Sequence, residues 1–183
     1  ITMPEPAAQL SAPSPLAVED LHFAFEPGRW VLQGISAALR PGMVSALIGP
    51  NAAGKTTLFR LMLGHLQPTR GRVSLEGRLL DRLSPVQRAA RLSYVPQRGG
   101  TSFAFTVRQM VRMGRHALGP NPRAVEQALG DCDLADLTDR IYAHLSVGQQ
   151  QRVLLARALA QAHGPHGRRG AAMLLDEPVS AMD

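Results

Sequence analysis

Cysteine, lysine and long apolar runs are what this sequence has least of. Its 183 residues include one cysteine, Cys132. No disulfide can close within the chain, which suits a reducing compartment, and the thiol is read as a small packing residue. No apolar run approaches the roughly 18–20 residues needed to cross a bilayer. The longest candidates, residues 44–48 and 171–175, have the length of buried strands, so any membrane association is expected to pass through a partner. The first residues carry neither the basic nor the apolar region of a secretory signal. Residues 1–15, rich in Pro, Ala and Ser, are expected to form a disordered leader. Of the 20 basic residues all but Lys55 are arginine. The net charge of +6 would suit nucleic acid, anionic lipid or nucleotide alike and separates them poorly. The placement of the one lysine says more.

With 45% apolar residues the chain has the composition of an ordinary globular domain with one core. Residues 16–25 and 30–39 read as strands joined by the turn at Glu26, Pro27 and Gly28, and Arg40, Pro41 and Gly42 make a second turn. The apolar run 43–48 follows as a strand, then a glycine-bearing segment, then a helix over 55–66 with Leu58, Phe59, Leu61, Met62 and Leu66 on its apolar positions. Residues 72–75 and 92–95 are short strands. Residues 103–145 read as helical and broken by loops, 146–162 as a strong helix, and 171–175 as a buried strand ending at Asp176, Glu177 and Pro178. Strands on either side of a helical middle predict a mixed α/β core with a helical insert.

Gly49, Pro50, Asn51, Ala52, Ala53, Gly54, Lys55 and Thr56 fit G-x-x-x-x-G-K-[ST], and Thr57 continues the helix that follows. A loop of this kind turns successive backbone N–H groups inward, and the helix N-terminus adds positive potential, so phosphate oxygens are held by fixed amides. Lys55 supplies a point charge for the β- and γ-phosphates, and the Thr56 hydroxyl can ligate Mg²⁺. A glycine turn at a helix start is the plain alternative. The full pattern arises by chance on the order of once per few hundred chains, and the strand and helix flanks weigh further towards nucleotide binding.

The strand before Asp176 and Glu177 presents two adjacent acids at its end. Asp176 would hold Mg²⁺ through its water shell, and Glu177 would polarise an attacking water. Apolar strands ending in acids are commonplace, and the pair gains meaning only downstream of a phosphate loop. Ser146 begins a helix with Gln149 three residues on, a capping box. The same glycine-bearing helix start, with Ser146 and Gly148, can serve an anion.

In this order the motifs resemble the nucleotide-binding domain of ABC transporters, from about residue 18 to residue 183. Residues 49–56 look like the Walker A loop, Tyr94, Val95, Pro96 and Gln97 the Q-loop, residues 145–149 the LSGGQ signature, 173–177 Walker B, and 180–183 the D-loop. Phe25 falls where the family places an aromatic that stacks on adenine. The resemblance implies a P-loop NTPase of α/β class with an ABC-type mixed β core (16–98 and 164–183) and a helical signature subdomain (about 99–163). It implies ATP and Mg²⁺ as ligands. Glu177, Lys55 and Gln97 would take catalytic roles, and Thr56, Gln97 and Asp176 would attend the metal. ATP would be sandwiched in a head-to-tail dimer between the phosphate loop of one copy and Ser146, Gly148, Gln149 and Asp183 of the other.

Departures from the family pattern are Val147 in place of the first signature glycine, Ala52 in place of a loop glycine, and extra residues at 163–170. The chain also ends before the switch histidine expected downstream, which reads as a truncated C-terminal part. Residues 107–116, V-R-Q-M-V-R-M-G-R-H, resemble the ATPases that import iron–siderophore, haem or cobalamin, and the loop 163–170 is similar to that of haemin-import subunits. His116, His144, His163 and His166 are read as surface or capping residues, not haem ligands. The implied role is the energy-coupling ATPase of a bacterial importer for haemin or an iron–siderophore. It would sit at the cytoplasmic face of the inner membrane through transmembrane permease subunits, with a periplasmic binding protein as an indirect partner and no nucleic acid. A soluble ABC ATPase acting on nucleic acid or ribosomes is the alternative. Against it, only about 90 residues separate Gly54 from Leu145, too few for a long coiled coil, and the chain has a single cassette. Intact Lys55, Asp176 and Glu177 argue against a non-hydrolytic module.

Overall fold

The computed structural model describes residues 14–97, 99, 103–163 and 172–176. The chain divides into two compact units, Ile1–Ser84 and Pro85–Asp183.

The first unit is built on a four-stranded antiparallel sheet in the order β2-β1-β3-β4: β1 is Leu16–Glu26, β2 Arg29–Ala38, β3 Arg70–Leu75 and β4 Arg78–Leu79. Along β1 the alternation that buries Leu16 and Val18 slips, so that Leu21 and Phe23 face inward next. The slip is a bulge: the register shifts between Val18 and Leu21, and Asp20 takes a left-handed conformation with φ 44°. Opposite it, Gly71 has φ 81°, and a Cβ there would overlap the carbonyl oxygens of Glu19 and Asp20. Only glycine meets both demands.

Helix α1, Lys55–Met62, buries Leu58, Leu61 and Met62. It stops short of the 55–66 expected from periodicity because Gly64 takes φ 72°, with His65 N–H donating to Arg60 O at 2.8 Å and Gly64 N–H to Leu61 O at 3.0 Å. This pair of bonds is a Schellman ending, which closes a helix regardless of the apolar residue beyond it. The strand expected at 43–48 is not formed. Met43, Val44 and Ile48 are exposed, Val44 at 99%, and none of the described strands pairs with them. A strand exists only through its ladder partners, and an apolar pattern cannot supply those.

In the second unit, helix α2, Pro85–Ala89, leads to β5, Leu92–Val95, which pairs in parallel with β6, Ala172–Leu175. Three helices pack beside this pair: α3 Val107–Met113, α4 Pro122–Asp131 and α5 Val147–Ala162. Each starts as its sequence directs. Thr106 caps α3 in a capping box with Gln109, and Asn121 caps α4 with Pro122 in its first turn. Ser146 caps α5 in a capping box with Gln149. Their shared core includes Val107, Val111, Leu129, Leu134, Val153 and Leu154. The Gln161 side chain ties α5 to β5 by donating to the carbonyls of Ala89 and Leu92, both at 3.1 Å. No helix among the described residues is long and apolar enough to cross a membrane.

Cys132 closes α4 and is buried, as a packing residue should be. Burial, reinforced by neighbouring Asp131, pushes its thiol up to about 11. The folded chain therefore holds the thiol proton more tightly than the unfolded one, so this group's stabilising contribution is complete below the unfolded pKa. It is lost as pH rises through the window between that value and about 11. In native protein at neutral pH, Cys132 should resist alkylation and should label fully in denaturant. Equal labelling rates in the two states would contradict this placement. At the bulge, Gly71→Ala should lower unfolding free energy by about 2–4 kcal/mol in urea titrations, from a left-handed Cβ and a backbone overlap together.

Candidate functional site

The phosphate-type loop lies in the first unit. Gly54 ends it as the N-cap of α1 with φ 87° and ψ 11°, a conformation that costs most residues dearly. Space enforces the same choice. A Cβ at Gly54 would sit 2.9 Å from the Leu32 side chain and 3.3 Å from that of Val31, both on β2. The loop is thus pressed against the sheet at its last residue, and α1 leaves from there without a side-chain cap. First-turn N–H groups of a helix have no carbonyl partner within the helix itself.

Lys55 follows directly. Its half-buried side chain folds back over the loop, Nζ donating to Gly49 O at 2.7 Å and to Pro50 O at 3.0 Å. The ammonium therefore sits over the concave backbone of 49–54. A phosphate entering the loop exchanges neutral carbonyl acceptors for anionic oxygens, which are stronger partners. Thr56 and Thr57 occupy the first turn of α1, Thr56 exposed and Thr57 half-buried. Asn51 and Ala52 are exposed at the loop crest, and Ala53 N–H donates to Pro50 O at 3.3 Å. Ala52 has φ 64°. Placing alanine there, which the sequence alone offers as a simple replacement, carries a left-handed penalty of roughly 1–2 kcal/mol. Phe25, near the end of β1, is 62% exposed and meets Phe23 edge-on with ring centroids 4.8 Å apart, so its outer face is open to solvent.

The second unit holds the other described candidates. Asp176 follows β6 and is buried. Its N–H extends the parallel ladder to Val95 O at 2.9 Å, and its Oδ2 accepts from the Tyr94 hydroxyl at 3.3 Å. Tyr94 lies on β5, and Gln97, two residues beyond that strand, is exposed. The parallel pairing thereby brings the strand leading to Gln97 beside the strand that presents Asp176. Sequence reading missed Tyr94 as a partner of the acid, because the contact crosses strands 82 residues apart.

At the start of α5 the capping box is explicit: Gln149 N–H donates to Ser146 Oγ at 3.3 Å, and Ser146 N–H to Gln149 Oε1 at 3.0 Å. Gln150, which sequence reading passed over, braces the approach to the helix by donating to Tyr142 O and Leu145 O. Gly148 is half-buried in the first turn, and Val147 is 65% exposed. The branched side chain at this signature position points away from the core, so packing does not require it. Glu177 and Asp183, and with them His166, lie outside the described residues. His116 and His144 are exposed, and the His163 ring nitrogen Nδ1 faces Leu159 O at 2.9 Å. Among the described residues no group of His, Cys, Asp and Glu is gathered as a metal site.

A lysine-bearing loop at a helix start, and an acid closing a parallel strand pair in the same unit as a serine-capped helix, define a class, and comparison supports it. The ABC transporter family profile matches residues 32–180, and the chain belongs to that family. Among its relatives, the Hemin import ATP-binding protein HmuV of Rhizobium meliloti (strain 1021) is 44% identical over 161 residues, 85% of this chain and 62% of that protein. The Cobalamin import ATP-binding protein BtuD of Halobacterium salinarum (strain ATCC 29341 / DSM 671 / R1) is 40% identical over 85% of this chain and 39% of that protein. The chain thus spans about three-fifths of the haemin relative's length. Among solved structures, cbiO1 from Clostridium perfringens, part of the ABC transporter complex cbiONQ, aligns with a TM-score of 0.78 at 28% identity, covering 93% of this chain and 68% of that one.

The strain at the loop crest gives a direct test. Ala52→Gly should stabilise the protein by about 0.5–1 kcal/mol in urea unfolding, the relief of the left-handed Cβ outweighing the added freedom of the unfolded chain. A loss of stability would show that Ala52 is not held at positive φ.

Proposed function

We propose that the protein carrying this chain is the ATP-hydrolysing, energy-coupling subunit of a bacterial ABC importer whose cargo is haemin or an iron–siderophore. The single observation that carries the ATP-binding half is the lysine held over the loop by the carbonyls of Gly49 and Pro50. The importer half is supported by 44% identity to a haemin-import ATP-binding protein over most of the chain.

In this reading the backbone N–H groups of 49–54 and of the first turn of α1 grip the β- and γ-phosphates, with Lys55 supplying the point charge. Phe25 offers its exposed face to the adenine. The Thr56 hydroxyl and the buried Asp176 carboxylate are hard oxygen donors of the kind Mg²⁺ selects, and Gln97 is a third candidate for its water shell. When bound, Mg²⁺ would neutralise charge on the phosphate oxygens. Glu177 orients and deprotonates the attacking water as general base. Ser146, Gly148, Gln149 and Asp183 serve the nucleotide held by a second copy, so ATP would join the two copies and hydrolysis would release them. Transmembrane permease subunits would bind this dimer at the cytoplasmic face of the inner membrane, and a periplasmic binding protein would deliver cargo to them. Nucleic acid has no part in the cycle.

The test uses the whole protein with its permease in proteoliposomes. Glu177→Gln should keep ATP binding, lower turnover by about 100-fold or more and trap an ATP-bound dimer. Lys55→Ala should abolish saturable ATP binding. Unchanged turnover in Glu177→Gln would remove Glu177 from the base role. Absence of ATP-driven haemin or siderophore uptake by the parent assembly would overturn the cargo.

A further inference from the structure

Within the segment 107–116, whose resemblance is to importer ATPases, Gly114 and Arg115 have no task in the nucleotide chemistry proposed above. Gly114 ends α3 with φ −58°, a conformation open to any residue. Its glycine is needed for space instead: a Cβ would overlap the Arg157 carbonyl oxygen of α5 and lie 3.1 Å from its carbonyl carbon. The end of α3 therefore rests directly on the backbone of α5.

Arg115, the next residue, is 5% exposed. Its Nε donates to Gly119 O at 3.2 Å, and its Nη1 donates to Ala160 O at 3.2 Å and to His163 O. The last carbonyls of a helix have no partner within it and form the negative end of its dipole. A guanidinium placed there satisfies an orphan carbonyl and complements that charge. Along its length α5 packs partly through Ala156, Ala158 and Ala160, all fully buried. Val153 and Leu154 fill the core beside these alanines, and Gly114 and Arg115 add backbone contacts near the C-terminal end of α5, at Arg157, Ala160 and His163.

We propose that Gly114 and Arg115 form a clamp that fixes the axial position of α5, which makes Arg115 a positioning residue for Ser146 and Gly148 at the opposite end of the same helix. The proposal rests on the reading that this opposite end serves a nucleotide held by a second copy. A 16-residue helix is a stiff rod about 24 Å long, so a shift at its C-terminus is passed to its N-terminus nearly undiminished. Lysine cannot replace this arginine fully, since one compact ammonium cannot fork between carbonyls on both α5 and the Gly119 turn.

The test separates binding from closure, in the whole protein with the Glu177→Gln substitution as parent. Arg115→Met and Arg115→Lys are each measured for ATP affinity, ATP-driven dimerisation and hydrogen exchange at the Gln149 and Gln150 amides. For Arg115→Met, ATP affinity of the monomer should stay within about twofold, and the dimer dissociation constant should rise about tenfold or more, as expected for loss of charge-assisted hydrogen bonds. Amide exchange at the start of α5 should quicken. Arg115→Lys should show the same split at smaller size, and it decides the matter if Arg115→Met does not fold. Dimerisation equal to the parent's in both variants would overturn the clamp, as would loss of ATP binding in proportion to dimerisation. A parent that binds ATP but never dimerises would instead overturn the proposed function.

Discussion

The close approach of Gly54 to β2 is the constraint on which the proposed nucleotide site depends. A backbone in the left-handed region, seated against Val31 and Leu32, turns the chain sharply from loop to helix. That turn puts Lys55 at the first position of α1, from which its side chain can bend back to the carbonyls of Gly49 and Pro50. A different residue at 54 would have to move the sheet side chains or abandon the turn, and either would take the ammonium off the loop. The lone lysine of an arginine-rich chain fits this geometry, because a compact cation can lie over main-chain oxygens where a planar fork cannot.

The second unit shows the opposite use of cations. Arg152 of α5 donates to the carbonyls of Cys132 and Asp133 at the end of α4, and Arg115 does the same at the end of α5. Guanidinium groups with several donors in a fixed plane suit the splayed carbonyls of a helix terminus. Thr106, Asn121 and Ser146 cap the starts of α3, α4 and α5, so α4 and α5 each carry a side-chain cap at one end and a guanidinium at the other. Surface ion pairs such as Arg72 with Glu19, both more than half exposed, add little beside these.

Local chemistry determined much of the molecule. Capping residues, turn glycines, the β5 and β6 runs and the phosphate-loop pattern are written in consecutive residues, because the forces that select them act within one turn or one strand. The Ser146–Gln149 capping box needs only a spacing of three, and it forms as that spacing implies. Family membership followed from the order of such short motifs.

Tertiary structure decided the rest. The apolar run 43–48 has a strand's composition but no ladder among the described residues, since pairing is a property of neighbours. Helix α1 ends at a glycine whose positive φ overrides the apolar periodicity beyond it. The bulge at Asp20 and Gly71, the reach of Tyr94 to Asp176 and the grip of Arg115 on α5 join residues far apart in the chain. Period and composition record what one segment prefers. Which backbone lies close enough to require a glycine, or which carbonyl awaits a guanidinium, is fixed only when separate segments share the same space.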